Sequence, residues 1–507
     1  MRKILVITLL TLGLAGFAFS QVPVIQWQKS LGGSDNEYKH IGQRTAKTAD
    51  GGYIICGYSI STDGNITGNQ GLYDYWILKL DSLGTITWQK SLGGSSMDVA
   101  YSVQQTFDGG YIVAGQSFST DGDVTGNHGA YDIWIVKLSA SGNIVWQKTL
   151  GGSDWDLAFS IQQTADGGYV VAGSTASNDF NVTGFHGGFS DFWVVKLNSV
   201  GTIIWQKALG GTETETAYSV QQTSDGGYIV AGNSSSTDGD VTNNHGNYDY
   251  WVVKLDGNGN LMWQQSLGGS DNDNAYSIQQ TSDGGYIVAG ESNSIDGNAT
   301  GNHGITDYWI VKLTNLGVIQ WQKSYGGSDA DVAYAIQQTT DGGYIVAGGS
   351  SSADGNTTTS LGQDDVWILK LDVGGNITWQ KKFGSGGIEI GYFIQQTNDG
   401  GYFFAGQDNN NGGDVSGNHG GDDIWLGKIQ LVNIITAPLP VQTLCVGSSV
   451  KVNFTIATTF NSGNTFTAQL SDANGSFAAP VNLGSIDRKS TRLNSSHLRL
   501  SRMPSSA

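Results

Sequence analysis

Proline, cysteine and charged residues are all scarce in this sequence. Its 507 residues include five prolines and two cysteines, and charged residues make up 14% of the chain. So little proline excludes a proline-rich linker and a collagen-like chain. Cys56 and Cys445 lie far apart and provide neither a disulfide framework nor a cysteine-based metal site. Cys56 replaces an apolar residue in a strand-like run, which predicts a small buried side chain.

Long apolar runs are also scarce, and the one example lies near the N-terminus. Arg2 and Lys3 precede an apolar run over residues 4–19, and small residues precede Gln21. This order predicts a signal peptide over residues 1–20. No later stretch approaches the roughly 18 apolar residues that a membrane-spanning helix needs. We therefore expect an exported protein, secreted or held at the cell surface, that does not insert into a membrane.

Basic residues are few in the rest of the chain. Residues 21–486 contain 18 basic and 43 acidic residues, which gives a net charge of −25, and Arg44 is the only arginine among them. A surface of this charge repels nucleic acid and anionic lipid, so we expect neither as a partner. The same surface attracts cations.

Glycine, at 75 residues, and tryptophan, at 15, are abundant and recur at fixed places. Fourteen tryptophans belong to two motifs, W-Q and D-x-W, each present seven times at a spacing of mostly 58 residues. The W-Q motifs begin at Trp27, Trp88, Trp146, Trp205, Trp263, Trp321 and Trp379. The D-x-W tryptophans are Trp76, Trp134, Trp193, Trp251, Trp309, Trp367 and Trp425. Only Trp155 falls outside this scheme. Repeats of this length are typical of propeller blades and other stacked arrays.

Each repeat contains four strand-like runs, which we name A to D. In the second repeat they are Y-S-V-Q-Q-T (A), G-Y-I-V-A-G (B), D-I-W-I-V-K-L (C) and I-V-W-Q-K-T-L (D). β-Branched and aromatic residues dominate them, and D-G-G between A and B predicts a tight hairpin. Strand C is apolar on both faces, which predicts that neighbouring sheets cover each sheet on both sides.

The ends of the repeat region predict a closed ring. The region begins with a lone D strand at residues 24–31 and finishes with a C strand at residues 423–429 that no D strand follows. The first strand would therefore complete the last sheet. The sequence predicts an all-β fold: a monomeric, seven-bladed β-propeller of four-stranded antiparallel blades over residues 21–432, closed by the N-terminal strand.

The loops differ in length at the two ends of such a ring. The A–B and C–D connections are tight turns, whereas the B–C and D–A loops are longer and polar and emerge together. Their face is the candidate binding face. Acidic pairs in D-G-D or D-G-N and a histidine before glycine recur there. The candidate binding residues are Asp121, Asp123, His128, Asp238, Asp240, His245, Asp296 and His303.

These residues leave two chemical interpretations open. Carboxylates two residues apart suit calcium, but each loop supplies only two certain ligands of the six to eight that calcium requires. The alternative is that Asp and Asn close turns within the loops. Histidines related by a rotation axis do not converge, which favours packing or surface roles over zinc binding. No other cofactor is expected.

Catalysis would need a blade that departs from the others. The first repeat does so, with a three-residue insertion and with Arg44 on strand A, which lines the channel in most propellers. Arg44 is therefore the channel candidate. No recognisable nucleophile, base or metal signature accompanies it, so we assign no catalytic residue.

The unit S-L-G-G-S-x-x-D-x-A-Y-S-I-Q-Q-T-S-D-G-G-Y-I-V-A-G resembles the repeats of secreted bacterial β-propeller proteins, which are distantly kelch-like and associated with type IX secretion. The resemblance covers residues 24–430 and implies a propeller and an exported or cell-surface protein, but no catalytic residue. Residues 433–486 look like the start of an immunoglobulin-like β-sandwich, too short to be whole. The abruptly basic residues 487–507 resemble translated vector sequence, which predicts a truncated gene with a non-native tail.

Three functions remain open from the sequence. The first is a non-catalytic binding or adhesion scaffold that recognises a glycan, a protein or a surface through the long loops. The second is a glycan lyase or hydrolase with a site at the channel mouth near Arg44. The third is a calcium-stabilised spacer of a cell-surface protein.

Overall fold

The computed structural model describes residues 19–37, 45–357 and 359–436, together with the short segments 451–452, 454–456, 465–470, 481–487 and 498–499. The chain divides into two compact units. The larger unit spans residues 27–429, and the smaller combines residues 1–26 with residues 430–507. The predicted signal peptide falls almost wholly outside the described residues. Arg44 and Cys445 also lie outside them.

The larger unit is built from seven four-stranded sheets, one for each repeat. Blade one contains β2 (Thr45–Lys47), β3 (Tyr53–Ser59), β4 (Asp74–Leu80) and β5 (Ile86–Leu92). Blade two contains β6 (Asp98–Gln105), β7 (Tyr111–Ser117), β8 (Asp132–Leu138) and β9 (Ile144–Leu150). Blade three contains β10 (Asp156–Gln163), β11 (Tyr169–Thr175), β12 (Asp191–Leu197) and β13 (Ile203–Leu209). Blade four contains β14 (Glu215–Gln222), β15 (Tyr228–Ser234), β16 (Asp249–Leu255) and β17 (Leu261–Leu267).

The remaining blades repeat the same order. Blade five contains β18 (Asp273–Gln280), β19 (Tyr286–Ser292), β20 (Asp307–Leu313) and β21 (Ile319–Tyr325). Blade six contains β22 (Asp331–Gln338), β23 (Tyr344–Ser350), β24 (Asp365–Leu371) and β25 (Ile377–Phe383). Blade seven contains β26 (Ile390–Gln396), β27 (Tyr402–Asp408) and β28 (Asp423–Thr436), with β1 (Phe19–Leu31) as its outer strand. The predicted seven-bladed β-propeller, closed by the N-terminal strand, is confirmed.

The core lies between successive blades, as the two apolar faces of strand C predict. Every residue of the C strand β8 is buried. Trp134 of this strand packs against Tyr75 of blade one at a ring distance of 4.5 Å, and both side chains are fully buried. Cys56 lies in the same cluster and is 1% exposed, which confirms the predicted small buried side chain.

The W-Q and D-x-W motifs meet in every blade. Trp134 Nε1 on the C strand donates a hydrogen bond to Gln147 Oε1 on the D strand, at 2.9 Å. In blade seven the same bond joins Trp425 Nε1 to Gln28 Oε1, at 2.9 Å. The N-terminal strand therefore makes the same contact as a D strand supplied within the repeat.

The A strands are innermost, because those of successive blades contact one another. Pairing with the B strand shifts register at one residue in blades two to seven, for example between Ala100 and Ser102. The residue at this bulge is aromatic each time. The set is Tyr101, Phe159, Tyr218, Tyr276, Tyr334 and Tyr392. Adjacent rings lie 4.8–5.3 Å apart and form an aromatic belt around the channel.

The smaller unit contributes short strands. The end of β28 pairs with β30 (Phe454–Ile456), β29 (Lys451–Val452) pairs with β33 (Leu498–Arg499), and β31 (Thr465–Leu470) pairs with β32 (Val481–Asp487), all antiparallel. Strands β29, β30 and β31 lie within residues 433–486, whereas β33 lies within residues 487–507. The immunoglobulin-like module and the non-native origin of residues 487–507 stay predictions. Among the described residues, no helix has the length and apolar character to cross a bilayer.

Candidate functional site

The tight turns form one face of the ring, and their charged residues stabilise the hairpins. Asp108 of D-G-G accepts hydrogen bonds from the Thr106 hydroxyl at 2.5 Å and the Gly110 N–H at 2.9 Å. Lys137 from the C strand lies 2.9 Å away. Burial raises the pKa of Asp108, but these three donors outweigh it and lower that pKa to about 2. The arrangement recurs in all seven blades.

The B–C and D–A loops form the opposite face, which we call the long-loop face. Asp121 Oδ1 accepts a hydrogen bond from the Ser95 N–H of the preceding D–A loop at 2.7 Å. Asp238 and Asp296 do the same for Thr212 and Ser270, at 2.8 and 2.7 Å. Backbone hydrogen bonding lowers the pKa of Asp121 and Asp238. The first carboxylate of each acidic pair therefore connects two loops, whereas the sequence interpretation had considered turn closure within one loop.

The second residue of each acidic pair also has protein partners. Asp123 Oδ2 accepts from Gln70 Nε2 at 2.9 Å, and Asp240 Oδ2 accepts from the Gly210 N–H at 3.3 Å. Within the part of the chain that the structure describes, no group of three or more His, Cys, Asp or Glu side chains could hold a metal ion. Calcium binding at these loops stays a prediction.

The histidines pair with the aspartate that begins the next C strand. His128 Nδ1 lies 2.7 Å from Asp132 Oδ2, and the His128 backbone N–H donates to the same oxygen at 3.0 Å. His245 and His303 repeat this contact with Asp249 and Asp307 at 2.6 and 2.5 Å. The candidate histidines remain in separate blades and hold the loops in place, as the packing interpretation expected.

Behind these loops lies a ring of fourteen buried carboxyl groups that sequence reasoning missed. Each blade contributes the first residue of its C strand and an acidic residue at the start of its A strand. All are at most 1% exposed. The C-strand members are Asp74, Asp132, Asp191, Asp249, Asp307, Asp365 and Asp423. The A-strand members are Glu37, Asp98, Asp156, Glu215, Asp273, Asp331 and Glu389.

Members of the ring approach one another across the blade boundaries. A β-carbon on Gly151 would lie 2.7 Å from Asp132 Oδ1 and 2.6 Å from Asp156 Oδ2, so both carboxyl groups face the same point. Among the described atoms, Oδ1 of every C-strand aspartate lacks a hydrogen-bond partner. Burial raises the pKa of many members of the ring, for example Asp98, Asp132 and Asp249. The pKa reaches about 6 in Asp74, Asp156, Asp191 and Asp273.

Blade six replaces the histidine with a lysine from another strand. Leu361 stands where the other loops have histidine or glutamine, and Lys382 stands on the D strand where they have Ser, Thr or Ala. The Lys382 ammonium lies 3.7 Å from Asp365 Oδ2 and donates to the Ser352 carbonyl at 2.5 Å. The two differences together keep a basic side chain beside the buried aspartate.

The described part of the channel is lined by amides, hydroxyls and aromatic rings. Gln163 N–H donates to Gln104 Oε1 of the preceding blade at 2.7 Å, and this contact continues around the ring. Glu291 of the B strand β19 contacts the aromatic belt, because it accepts hydrogen bonds from Tyr276 at 2.7 Å and from Asn274 at 2.9 Å. Burial raises the pKa of Glu291. Its signal in the sequence is a charged residue at a position that is neutral in the other B strands.

The chain has limited sequence similarity to known proteins. No family model matches the chain. The regulatory protein FlaEY of Caulobacter vibrioides is 26% identical over 286 residues, which cover 49% of this chain and 29% of that protein. The chain therefore matches less than a third of the relative's length.

Three solved structures illustrate the structural similarity. The Pan2 WD40 domain of Neurospora crassa has a TM-score of 0.43 at 12% identity, covering 82% of this chain and 97% of that one. Sqt1 of Chaetomium thermophilum gives 0.40 at 11% identity, with 76% and 97% covered. A DUF4221 family member from Bacteroides vulgatus gives 0.34 at 9% identity, with 82% and 98% covered. The propeller assignment rests on the strand pairing described above.

Proposed function

We propose that this protein is an exported, non-catalytic scaffold for binding or adhesion and that its long-loop face contacts the ligand. The observation that carries this proposal is that the histidine and aspartate side chains of that face form hydrogen bonds within the protein. His128 is engaged by Asp132, and Asp121 by the backbone of the next loop. Groups held in this way fix the shape of the loops in advance, and a preformed surface loses little conformational entropy on binding.

The exposed residues of the long loops support a ligand-binding face. Leu72, Trp155 and Ile305 project from three different long loops and are 60–61% exposed. The net charge of −25 over residues 21–486 favours neutral or cationic ligands. A glycan, a protein or a cell surface could each present such chemistry. The apolar N-terminal segment and the repeat resemblance support export to the cell exterior.

The binding face is tested by matched substitutions on the two faces. One triple variant carries Leu72→Arg, Trp155→Arg and Ile305→Arg on the long loops. The control carries Phe107→Arg, Leu316→Arg and Val373→Arg on tight turns, where exposure is also high, at 68–75%. Binding is measured on arrays of bacterial-surface glycans and proteins. Loss of binding in the first variant alone supports the proposal, whereas equal binding by both variants, or loss in the control alone, contradicts it.

Two further measurements test the remaining parts of the proposal. Bound glycans are assayed for new reducing ends or unsaturated products. The appearance of such cleavage products would show that the protein is an enzyme and would contradict the non-catalytic function. Export is tested by fractionating the native host. We expect an extracellular or surface-bound protein whose first residue is Gln21, and a cytoplasmic protein that retains Met1 would contradict export.

A further inference from the structure

The long-loop face is chemically uneven, and aromatic residues gather where blades two and three meet. Phe118, which follows β7, contacts Tyr131 before β8 at a ring distance of 5.1 Å. Tyr131 contacts Trp155 of the D–A loop at 6.2 Å, with the two rings at 83°. Phe180 of the next B–C loop contacts His128 at 5.0 Å. We call Phe118, His128, Tyr131, Trp155 and Phe180 the aromatic patch.

The other blades have few aromatic residues at these positions. The residues equivalent to Trp155 are Asn36, Met97, Thr214, Asn272, Ala330 and Ile388. Those equivalent to Phe118 are Ile60, Ala176, Ser235, Asn293, Ser351 and Asn409. The repeat therefore folds without these rings. Because Trp155 is 61% exposed and Phe118 44% exposed, much of their surface remains in contact with solvent.

Phe180 gives independent support because it occupies a position that favours glycine. Its φ is +48°, and the six equivalent residues are glycines with φ of +53° to +65°. A β-carbon is unfavourable in this conformation. It also crowds the D–A loop: the Asn181 N–H to Gly151 carbonyl distance is 3.2 Å, whereas the equivalent bonds elsewhere are 2.7–2.9 Å. Phe180 is nevertheless 65% exposed.

A strained, exposed aromatic residue is hard to explain by folding, and such outliers tend to occur at functional sites. Phe180 weakens a loop contact and is largely unburied. The same boundary carries Trp155, the tryptophan outside the repeat scheme. Two departures from the repeat therefore coincide at one place on the candidate binding face, and both add an exposed ring.

We propose that the aromatic patch binds a neutral glycan. This inference rests on the proposed binding function and gives it a ligand class and a site. The C–H faces of a pyranose ring stack on aromatic rings, and its hydroxyls donate to carboxylates such as exposed Asp154, beside Trp155. Trp155 and Tyr131 meet at nearly a right angle and can contact two sides of one sugar. The acidic surface disfavours uronic or sulfated glycans.

The size of the patch favours a sugar over a protein. Aromatic side chains bury about 150–250 Å² each when fully covered, so the exposed parts of Trp155, Phe118 and Phe180 together offer on the order of 400 Å². A stable protein interface needs about 800 Å² on each partner. An area of this size matches one or two sugar rings.

The test uses substitutions that return the patch to residues already present in other blades. Phe180→Gly restores the glycine of the six equivalent loops, and Trp155→Asn copies Asn272. Phe107→Asn on the turn face is the control. The full-length protein and each variant are titrated calorimetrically with cellohexaose, laminarihexaose, mannohexaose and chitohexaose. Oxidation of Trp155 by N-bromosuccinimide, followed by peptide mass spectrometry, reports on the site directly.

We expect one or more of the four saccharides to bind and to protect Trp155 from oxidation. Trp155→Asn should weaken that affinity at least tenfold and Phe180→Gly at least threefold, while Phe107→Asn leaves it unchanged. Phe180→Gly should also raise the melting temperature by about 1–2 °C, because it removes backbone strain. Lost binding in this variant therefore could not come from misfolding.

Two results would overturn the inference. The first is the absence of binding to all four saccharides at 10 mM, including the case in which the patch binds only a protein. The second is wild-type affinity in both Trp155→Asn and Phe180→Gly. If the long-loop arginine variant still loses array binding, the proposed scaffold function stands and only the glycan site falls.

Discussion

The two faces of the ring each carry a sevenfold set of acidic groups, but the faces compensate these charges differently. On the turn face, Asp108 meets the ammonium of Lys137 and remains 64% exposed. On the long-loop face, Asp132 is fully buried and faces Asp156 from the next blade. The pKa of Asp108 is lowered to about 2, whereas burial raises the pKa of Asp132.

The difference arises from which strands lie side by side. The A–B turn lies against the end of the C strand in its own blade, where the repeat supplies a lysine. The long-loop acids meet across blade boundaries, where rotation of the repeat brings one carboxyl group against another. Buried charges without an ammonium group nearby are unstable, so they bind protons or accept hydrogen bonds instead. The same repeat therefore produces aspartate–lysine pairs on the turn face and buried carboxyl groups that favour the protonated form on the long-loop face.

The largest expected effect is a fall in stability as pH rises. The pKa of Asp74, Asp156, Asp191 and Asp273 is raised from 3.8 to about 6, mainly by burial. Their stabilising contribution is complete below about pH 3.8 and is lost as pH rises through 6. Since one pKa unit corresponds to about 1.36 kcal/mol, the coupled set should contribute on the order of 5 kcal/mol. Urea midpoints should fall between pH 4.5 and 8.

The aspartates of the turn face should make the stability fall at low pH. Its aspartates have a lowered pKa, so their contribution is present above pH 3.8 and is lost as pH falls through about 2. Stability should therefore be greatest near pH 4–5. A urea midpoint that is constant or rises from pH 4.5 to 8 would show that the buried ring does not retain protons.

Blade six offers a sharper test, because a lysine there acts on the long-loop face. Lys382→Ser copies Ser324 of blade five and leaves Asp365 and the Ser352 carbonyl without the ammonium. We expect a loss of about 2–4 kcal/mol in the free energy of unfolding. Adding Ser360→Asn and Leu361→His, which recreate the loop of the other blades, should restore at least half of it. No rescue would mean that Lys382 acts only by packing.

On the turn face, removing a lysine should have a smaller effect. In Lys137→Met, Asp108 stays in contact with water, so only a screened ion pair and the bond to the Leu138 carbonyl at 3.0 Å are lost. A loss of about 1 kcal/mol at pH 7 follows. Chemical denaturation in low and high salt checks this value, and the loss should shrink at 1 M NaCl. An effect as large as that of Lys382→Ser would remove the contrast between the faces.

The smallest expected effect has the opposite sign. Asp132→Asn keeps an oxygen for His128 and places an N–H₂ group beside Asp156. At pH 8 we expect a gain of about 0.5–1 kcal/mol, because one member of an acid pair no longer ionises. At pH 4.5 the gain should disappear, since Asp156, whose pKa is raised to about 6, is then protonated and no longer repels its neighbour. Asp108→Asn is the matched turn-face variant and should be destabilising at pH 8.

Sequence reasoning predicted the fold from short motifs that recur in every repeat and from the strands at the two ends of the repeat region. The D-G-G turns, the two apolar faces of strand C and the lone N-terminal D strand were sufficient for a closed seven-bladed ring. The charge arrangement was harder to predict. Asp108 and Lys137 are 29 residues apart, and Asp132 meets Asp156 only after two blades pack. The histidine–aspartate contacts span four residues, yet a strand periodicity does not show that a loop folds back on the next strand.

The sequence predicted a candidate face and a set of acidic and histidine residues on it. Asp121, Asp238 and the histidines were selected because they recur, and recurrence marks what every blade needs for folding. Trp155 was visible as an exception, but Phe180 was not separated from the D-G-D pattern because its positive φ is invisible in sequence. In a repeat protein, the residues that break the repeat deserve more weight in the search for function than those that keep it.

The hydrogen bond between Trp425 and Gln28 has a consequence for the order in which the molecule forms. The ribosome releases Gln28 roughly four hundred residues before Trp425, so β1 has no partner strand until the rest of blade seven has been made. Until β1 docks, β28 presents an unpaired edge, and such edges invite pairing with other chains. A strand made long before its partner thus forms one of the last contacts of the ring, and the risk of aggregation is greatest until that contact forms.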